Sequence, residues 1–356
     1  MYVLSILKFD YLFKAYYHRN GNTMNKIGIF IGTRPECIKC MPLIHSSTIY
    51  VPIFVQQHSD ILNILEDREH HIIPITEFGK DRLNNIMMSI MNSTIIDLPW
   101  KAILVQGDTA VAFAAALSAF NKKVPIIHLE AGLRTYDLEN PWPEEGYRQM
   151  IDSIATIALC PGTLSAENLT LERFAGQIEI VGNTSIDAIS NYQLPSYIGD
   201  KVIVTLHRRE NWHQIKEFFE VIEELASTYP HLTFILPIHP NPEIKKLGSM
   251  FHHVKVIDPV PHDVMCKLLA ECNCIISDSG GIQEEASFLG KRVFCCRKIT
   301  ERTELINDYL TYTPTPEALR SSFLPQTTLL PTSTVYGDGK AYLKINAYLE
   351  SILCLT

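Results

Sequence analysis

The chain lacks the two glycine signatures of the commonest nucleotide enzymes. There is no GxxxxGKS and no GxGxxG in its 356 residues, so neither a P-loop ATPase nor a dinucleotide enzyme is indicated. It also lacks an excess of basic charge. Lysine and arginine number 31 against 39 aspartates and glutamates, a formal charge of −8 with a pI near 5.9. No broad positive surface is left for a phosphate backbone, which argues against nucleic acid as a partner, although a local arginine cluster could hold a small anion. No apolar run approaches the ~20 residues of a membrane span. Residues 1–23 are aromatic and mildly apolar, but Lys8, Asp10 and Lys14 interrupt them too early for a signal peptide, and Met24 offers a second start. The nine cysteines are odd in number and scattered, most of them inside apolar runs (Cys160, Cys272, Cys274, Cys295, Cys296). Reduced, buried thiols in a cytoplasmic setting are expected. Cys37 and Cys40 form a CxxC with no second pair at ligand spacing, so core packing is expected there and no metal.

What is present is a train of strand–helix units. Apolar runs predict strands at 26–31, 51–55, 72–75, 102–105, 124–127, 156–160 and 178–181, with helices at 83–96, 110–120, 144–154 and 163–174 among them. The second half repeats the pattern with strands at 202–206, 232–236, 254–257 and 274–276 and helices at 214–229 and 264–271. At this length two domains of ordinary size are expected. The linker is 193–200, QLPSYIGD, which separates a domain at 24–192 from one at 201–338. An N-terminal extension at 1–23 and a C-terminal helical segment at 339–356 complete the chain.

Charge concentrates in HLEAGLRTYDLENPWPEEGYR, His128 to Arg148, which holds five carboxylates, two arginines, one histidine and two prolines. It follows an apolar strand directly, so its charge falls at the carboxyl edge of a sheet, where open α/β folds build their sites. A solvated loop is the plain alternative. Trp142 between Pro141 and Pro143 argues for a shaped loop instead. Upstream, Gly32-Thr33-Arg34-Pro35-Glu36 turns the first strand into a helix whose free amides, beside Arg34 and Lys39, suit a phosphate. An ordinary turn with a surface arginine fits that spacing equally well. Asp108 ends another strand, where a capping aspartate is the bland reading. Glu130, at the equivalent edge of the next strand, supplies the neighbour that a catalytic reading needs. In the second half, Ser279-Gly280-Gly281 opens a helix in a form that lets backbone amides approach a pyrophosphate. Glu285 would reach ribose hydroxyls, and Arg302 is a candidate for the same diphosphate.

Taken together, GTRPE, QGDT, HLEAGLRT with PWPEE, HRREN, SDSGGIQEEA and TER, in this order from residue 32 to 304, resemble the non-hydrolysing UDP-N-acetylglucosamine 2-epimerases, and YGDG at 336–339 fits as well. The resemblance implies an α/β fold of two Rossmann-like domains with a cleft between them, GT-B-like, the last helix crossing back to the first domain. It implies a UDP-sugar substrate, a homodimer and no cofactor. The reaction implied interconverts UDP-GlcNAc and UDP-ManNAc by eliminating UDP to 2-acetamidoglucal and adding it back after protonation from the other face. Carried over by motif, Asp108, Glu130 and Glu144 are the acid/base carboxylates, and His207 sits by the departing diphosphate. Arg34, Lys39, Ser279, Gly280, Gly281, Glu285 and Arg302 hold the UDP, and Arg148 orients Glu144 or the sugar.

Some positions depart from the family pattern. Glu144-Glu145-Gly146-Tyr147-Arg148 stands where EEANR is usual, and Met265 where a phenylalanine often covers the uracil. Gln57 and His58 match the segment through which bacterial members bind a second, activating UDP-GlcNAc, but Asp60 replaces a glutamine there and would repel a diphosphate. No activator requirement is therefore expected. A GT-B glycosyltransferase would share the fold without needing three carboxylates, and a non-catalytic binding protein would not need them either. Hydrolysing 2-epimerases tend to replace Pro35 and Thr109, which this chain keeps. Relatives acting on UDP-6-deoxy-L-hexosamines tend to carry EAGNR and SDSGTxxEE, unlike Leu133 and Gly281 here.

Overall fold

The computed structural model describes residues 26–56 and 68–353; Gln57, His58 and Asp60 lie outside them. It divides into two compact units, Met1–Asp187 with Lys340–Thr356, and Ala188–Gly339. The first contains a seven-stranded sheet in the order β3-β2-β1-β4-β5-β6-β7. Its strands are β1 Ile27–Ile31, β2 Tyr50–Gln56, β3 His71–Pro74, β4 Ala102–Gln106, β5 Ile126–Leu129, β6 Ile157–Cys160 and β7 Gln177–Ile180. All pairings are parallel. Every residue of β1 and β4 is buried. Strands covered on both faces need continuous apolar character, which is why they read in the sequence as runs and not as alternations.

The helices of this unit are α1 Arg34–Ser46, α2 Arg82–Met91, α3 Ala110–Asn121, α4 Glu144–Ile154, α5 Thr163–Leu171 and α6 Thr184–Ser190, the last reaching into the second unit. The six alanines of α3 are all buried and let it lie against both α2 and α4. The helix expected over 83–96 stops at Met91. Asn92 closes it, and Ser93 Oγ accepts the Ile95 amide at 3.2 Å to start a separate 3₁₀ turn, Thr94–Asp97. Short polar side chains offer the backbone such alternatives to a helix.

The second unit repeats the winding on a smaller scale, with the order β10-β9-β8-β11-β12-β13. Its strands are β8 Lys201–Thr205, β9 Thr233–Pro237, β10 Lys255–Ile257, β11 Cys272–Ser277, β12 Val293–Cys295 and β13 Leu310–Tyr312. The strands β12 and β13, three residues each, were not expected. Its helices are α7 Ile215–Thr228, α8 Pro242–Leu247, α9 His262–Glu271, α10 Gly280–Phe288 and α11 Pro316–Ser322. In both sheets strand order reverses at one point, between β1 and β4 and between β8 and β11, and the loops leaving those carboxyl ends are where doubly wound folds bind ligands. Among the described residues no helix is long and apolar enough to cross a membrane.

The C-terminal helix, Ala341–Leu353, belongs to the first unit. Gly337 and Gly339 carry the chain into it at φ 107° and 82°, a region that favours glycine. Ala341, Ile345, Leu349 and Leu353, spaced one turn apart, join the same core as Ile27, Ile29 and Leu43. Its first amides are capped from far away. Asp187, fully buried on α6, accepts the Ala341 N–H at 2.9 Å and the Tyr342 N–H at 2.7 Å, and Tyr50 donates its hydroxyl to Asn346 at 2.6 Å. Removing a cap that serves two buried donors costs about 1–3 kcal/mol. Asp187→Ala should therefore lower the urea midpoint of the first unit and speed amide exchange first at Ala341 and Tyr342. An unchanged midpoint with unchanged exchange there would show that the helix is held by its apolar face alone.

Candidate active site

The charged motifs of the first unit meet at three adjacent strand ends. After β1, Thr33 and Glu36 form a capping box: the Glu36 carboxylate accepts the amides of Thr33 at 2.6 Å and Gly32 at 2.9 Å. Its other oxygen takes the Thr109 hydroxyl at 2.5 Å, at the end of β4. One buried carboxylate thus ties two edge loops together, and burial raises its pKa against the pull of those hydrogen bonds. Glu36 had no role in the sequence reading beyond its motif; the T-x-x-E spacing was the signal that could have found it. Arg34 is exposed at the first position of α1.

Lys39, one turn further into α1, forms an ion pair with Glu130, and Gln106 at the end of β4 donates to the same carboxylate at 2.8 Å. Glu130 follows β5 with φ 70°, a left-handed conformation that costs a side-chain-bearing residue about 1–2 kcal/mol. The amides of Glu130 and Ala131 both donate to the Leu159 carbonyl, at 3.1 and 3.2 Å, and hold it there. Asp108 follows β4. Arg148 on α4 grips it through Nε at 3.0 Å and through Nη2, and places Nη1 3.2 Å from Glu145. Glu144 is half-buried in the first turn of the same helix.

Behind these side chains lies a buried group that the sequence did not single out. Asp152 on α4 accepts from His128 Nδ1 at 2.5 Å, from the Gly132 amide at 3.2 Å and from Arg134 at 2.7 Å. His128 Nε2 donates to the Gly107 carbonyl at 2.8 Å, so the imidazole fixes the turn that carries Asp108. Desolvation would raise the Asp152 carboxyl, but His128 and Arg134 outweigh it and hold the pKa below the ordinary range. Glu145, also fully buried, accepts the amides of Thr135 at 3.1 Å and Tyr136 at 3.0 Å. This carboxylate ties down the charged loop, in which Trp142 is 61% exposed. Tyr147, the departure from the family pattern, stacks on Phe113 with ring centroids 5.2 Å apart and planes at 7°.

In the second unit Asp278 is the organising carboxylate. It is fully buried after β11 and accepts the amides of His207 at 3.0 Å and Arg208 at 2.9 Å and the Asn211 side chain at 3.0 Å, all from the loop after β8. The His207 ring stacks on His239, centroids 5.9 Å apart, with Nδ1 3.4 Å from Asp278. Desolvation lowers the His207 pKa and Asp278 only partly offsets it, although the ring is 39% exposed and so only partly shielded from water. Ser279 caps α10. A Cβ on Gly280 would lie 2.9 Å from the Arg302 guanidinium carbon, while one on Gly281 would meet nothing within 4 Å. A side chain at 280 would therefore have to displace the Arg302 guanidinium, whereas position 281 is open. Arg302 is itself buried on Glu284, with Nε at 2.8 Å and Nη2 at 2.7 Å, and on Glu301 at 3.2 Å. Arg297 bridges Glu301 at 2.7 Å and Glu210 at 3.0 Å. Glu285 Oε1 lies 3.0 Å from His262 Nε2.

Two doubly wound Rossmann-like units, with charged loops at the reversal points of both sheets, define a GT-B-like α/β protein. A family model described as UDP-N-acetylglucosamine 2-epimerase matches residues 41–350. The chain is 35% identical over 316 residues to the UDP-N-acetylglucosamine 2-epimerase of Neisseria meningitidis serogroup A, covering 79% of this chain and 85% of that one. It is 35% identical over 322 residues to the enzyme of the same name from Campylobacter jejuni, with coverage of 80% and 84%. A crystal structure of UDP-GlcNAc 2-epimerase from Neisseria meningitidis bound to UDP-GlcNAc superposes with a TM-score of 0.83 at 30% identity, over 92% of this chain and all (100%) of that one. One from Methanocaldococcus jannaschii in complex with UDP-GlcNAc and UDP gives 0.76 at 25% identity, over 92% and 99%. The chain belongs to the UDP-N-acetylglucosamine 2-epimerase family.

The Asp152 group yields a stability prediction with a definite sign. Asp152→Ala leaves His128 and Arg134 buried without their carboxylate, a loss of about 3–5 kcal/mol at pH 7. Because the folded pKa is depressed, Asp152 stabilises above its unfolded value near 4, and that contribution fades as pH falls through the lower folded value. Urea unfolding of wild type and variant should show a wide gap at pH 7 that narrows below about pH 4. Equal stabilities at pH 7 would mean that the group is dispensable.

Proposed function

We propose that the protein is a non-hydrolysing UDP-N-acetylglucosamine 2-epimerase, interconverting UDP-GlcNAc and UDP-ManNAc. The observation that carries this reading, beside the family itself, is that Asp108 and Glu130 end neighbouring parallel strands, each held by its own cation, Arg148 and Lys39. Carbon 2 of the sugar bears a poorly acidic hydrogen, so its removal needs a positioned base acting together with departure of the anomeric substituent. In the forward step a carboxylate takes the carbon 2 proton, the C–H electron pair forms the double bond to carbon 1, and the C1–O bond breaks to release UDP. In the return step an acid protonates carbon 2 from the opposite face and UDP re-forms its bond at carbon 1. Asp108, Glu130 and Glu144 serve as the acid/base group, and close carboxylates of this kind titrate together.

UDP is held by the second unit. The amides opening α10 at Ser279, Gly280 and Gly281 take the diphosphate, where the free N–H groups of a helix start favour an anion. His207 stands by the leaving diphosphate, its lowered pKa favouring the neutral ring. Glu285 takes the ribose. Arg302, with its guanidinium on Glu284 and Glu301 and against Gly280, supports that turn from behind, in addition to any attraction it exerts on phosphate. Arg34 adds an exposed cation at the start of α1. The absence of an activator requirement, expected from Asp60, remains part of this proposal.

Incubation with UDP-GlcNAc, followed by proton NMR, should yield UDP-ManNAc with no added metal or cofactor. Asp108→Asn and Glu130→Gln should each lose turnover by about 10²–10⁴-fold, the usual contribution of general acid–base groups, while UDP affinity stays within about tenfold. Near-normal turnover in either variant would remove that carboxylate from the mechanism, and accumulation of free ManNAc would move the protein to the hydrolysing class.

A further inference from the structure

We propose that His262, Cys266 and Glu285 form a three-ligand site for a borderline-soft divalent cation of the zinc type. His262 and Cys266 lie four residues apart on α9, and so on one helical face, and α10 brings Glu285 against them. One ligand atom from each side chain lies within 4.8 Å of the other two, and among the described residues this is the one group of histidine, cysteine and carboxylate so arranged. His262 Nε2 is 3.0 Å from Glu285 Oε1 and 3.4 Å from Cys266 Sγ. Zinc bonds of ~2.0–2.3 Å in tetrahedral geometry set neighbouring ligand atoms roughly 3.3–3.7 Å apart, so side-chain rotations that close separations of up to 4.8 Å to that range admit the ion. The Tyr192 hydroxyl lies 3.4 Å from His262 Nδ1, the ring nitrogen farther from Cys266 Sγ, at 3.8 Å against 3.4 Å for Nε2. A group in that place keeps a ligating imidazole oriented.

The donor set selects the ion. One thiolate, one imidazole and one carboxylate suit zinc or cobalt, and an all-oxygen ion such as magnesium gains little from the sulfur. Three protein ligands leave a fourth position for water. Without metal, burial and the charges of Glu285 and Asp263 push the Cys266 thiol well above its ordinary range, so it holds its proton. Zinc takes the place of that proton, which passes to solvent, and affinity therefore rises with pH. The acid–base chemistry proposed above uses neither His262 nor Cys266. The consequence for catalysis rests on the assignment of Glu285 to the ribose: a zinc ion that holds this carboxylate competes with UDP, so the metal inhibits the enzyme.

The test is calorimetric and spectroscopic titration of the intact protein with zinc chloride and with cobalt chloride. One equivalent of zinc should bind, with affinity increasing from pH 6 to pH 8, and bound cobalt should show a thiolate-to-metal charge-transfer band. Cys266→Ala should abolish that band, and both Cys266→Ala and His262→Gln should weaken zinc by about 100-fold or more, with magnesium showing no heat at this site. Saturable zinc binding unchanged in both variants, or no stoichiometric binding to the wild type, overturns the site. The wild-type cobalt band keeps the test decisive if a variant folds poorly. UDP titrated into zinc-loaded wild type should bind at least about tenfold more weakly than into the metal-free protein. Stoichiometric zinc that needs Cys266 but leaves UDP affinity untouched would uphold the metal site and withdraw the ribose from Glu285.

Discussion

A carboxylate at the edge of a buried parallel sheet is costly unless a cation or a set of donors meets it, and both units of this protein are arranged around that requirement. In the first unit Lys39 meets Glu130, Arg148 meets Asp108, and His128 with Arg134 meets Asp152. In the second, Arg302 meets Glu284 and Arg297 meets Glu301, while Asp278 is satisfied mainly by amides. Most of these pairs join different elements, so they also fix the positions of the loops that carry them.

That requirement serves chemistry as well as stability. Elimination and re-addition at a sugar carbon need acid and base groups held still, because charge that forms in the transition state is best stabilised by dipoles already in place. The Asp108 turn is fixed at Gly107 by His128, which is anchored in turn by Asp152. Glu130 is kept in a left-handed conformation by two amides on one carbonyl and by Lys39 and Gln106 on its side chain. Local strain of this sort persists where the surroundings over-determine it.

Much of this was legible in the sequence, and what was not has a common physical cause. Buried parallel strands announce themselves as apolar runs, so the order of β1 to β11 and the charged edges after β1, β4, β5, β8 and β11 followed from local pattern. The particular family came from six motifs in order, which composition and periodicity alone could not supply. The partners of the charged groups were out of reach. His128 finds Asp152 at a separation of 24 residues, Lys39 finds Glu130 at 91, and Asp187 caps a helix 154 residues later. Such pairings are set by how strands are ordered in the sheet, and no short window contains both members. Gly280 and Gly281 look alike as a pair, yet only the first has a guanidinium packed where a side chain would be.

The proposed catalysis has these paired carboxylates take a proton from carbon 2 of a UDP-linked amino sugar and return one from the other face. The most direct measurement is the fate of that hydrogen when UDP-GlcNAc is turned over in deuterium oxide. Deuterium should enter carbon 2 of UDP-ManNAc and, as the reaction reverses, of the recovered UDP-GlcNAc, with the sugar still attached to UDP at equilibrium. Conversion that keeps protium at carbon 2, or transfer of the sugar to an acceptor without exchange, would contradict it.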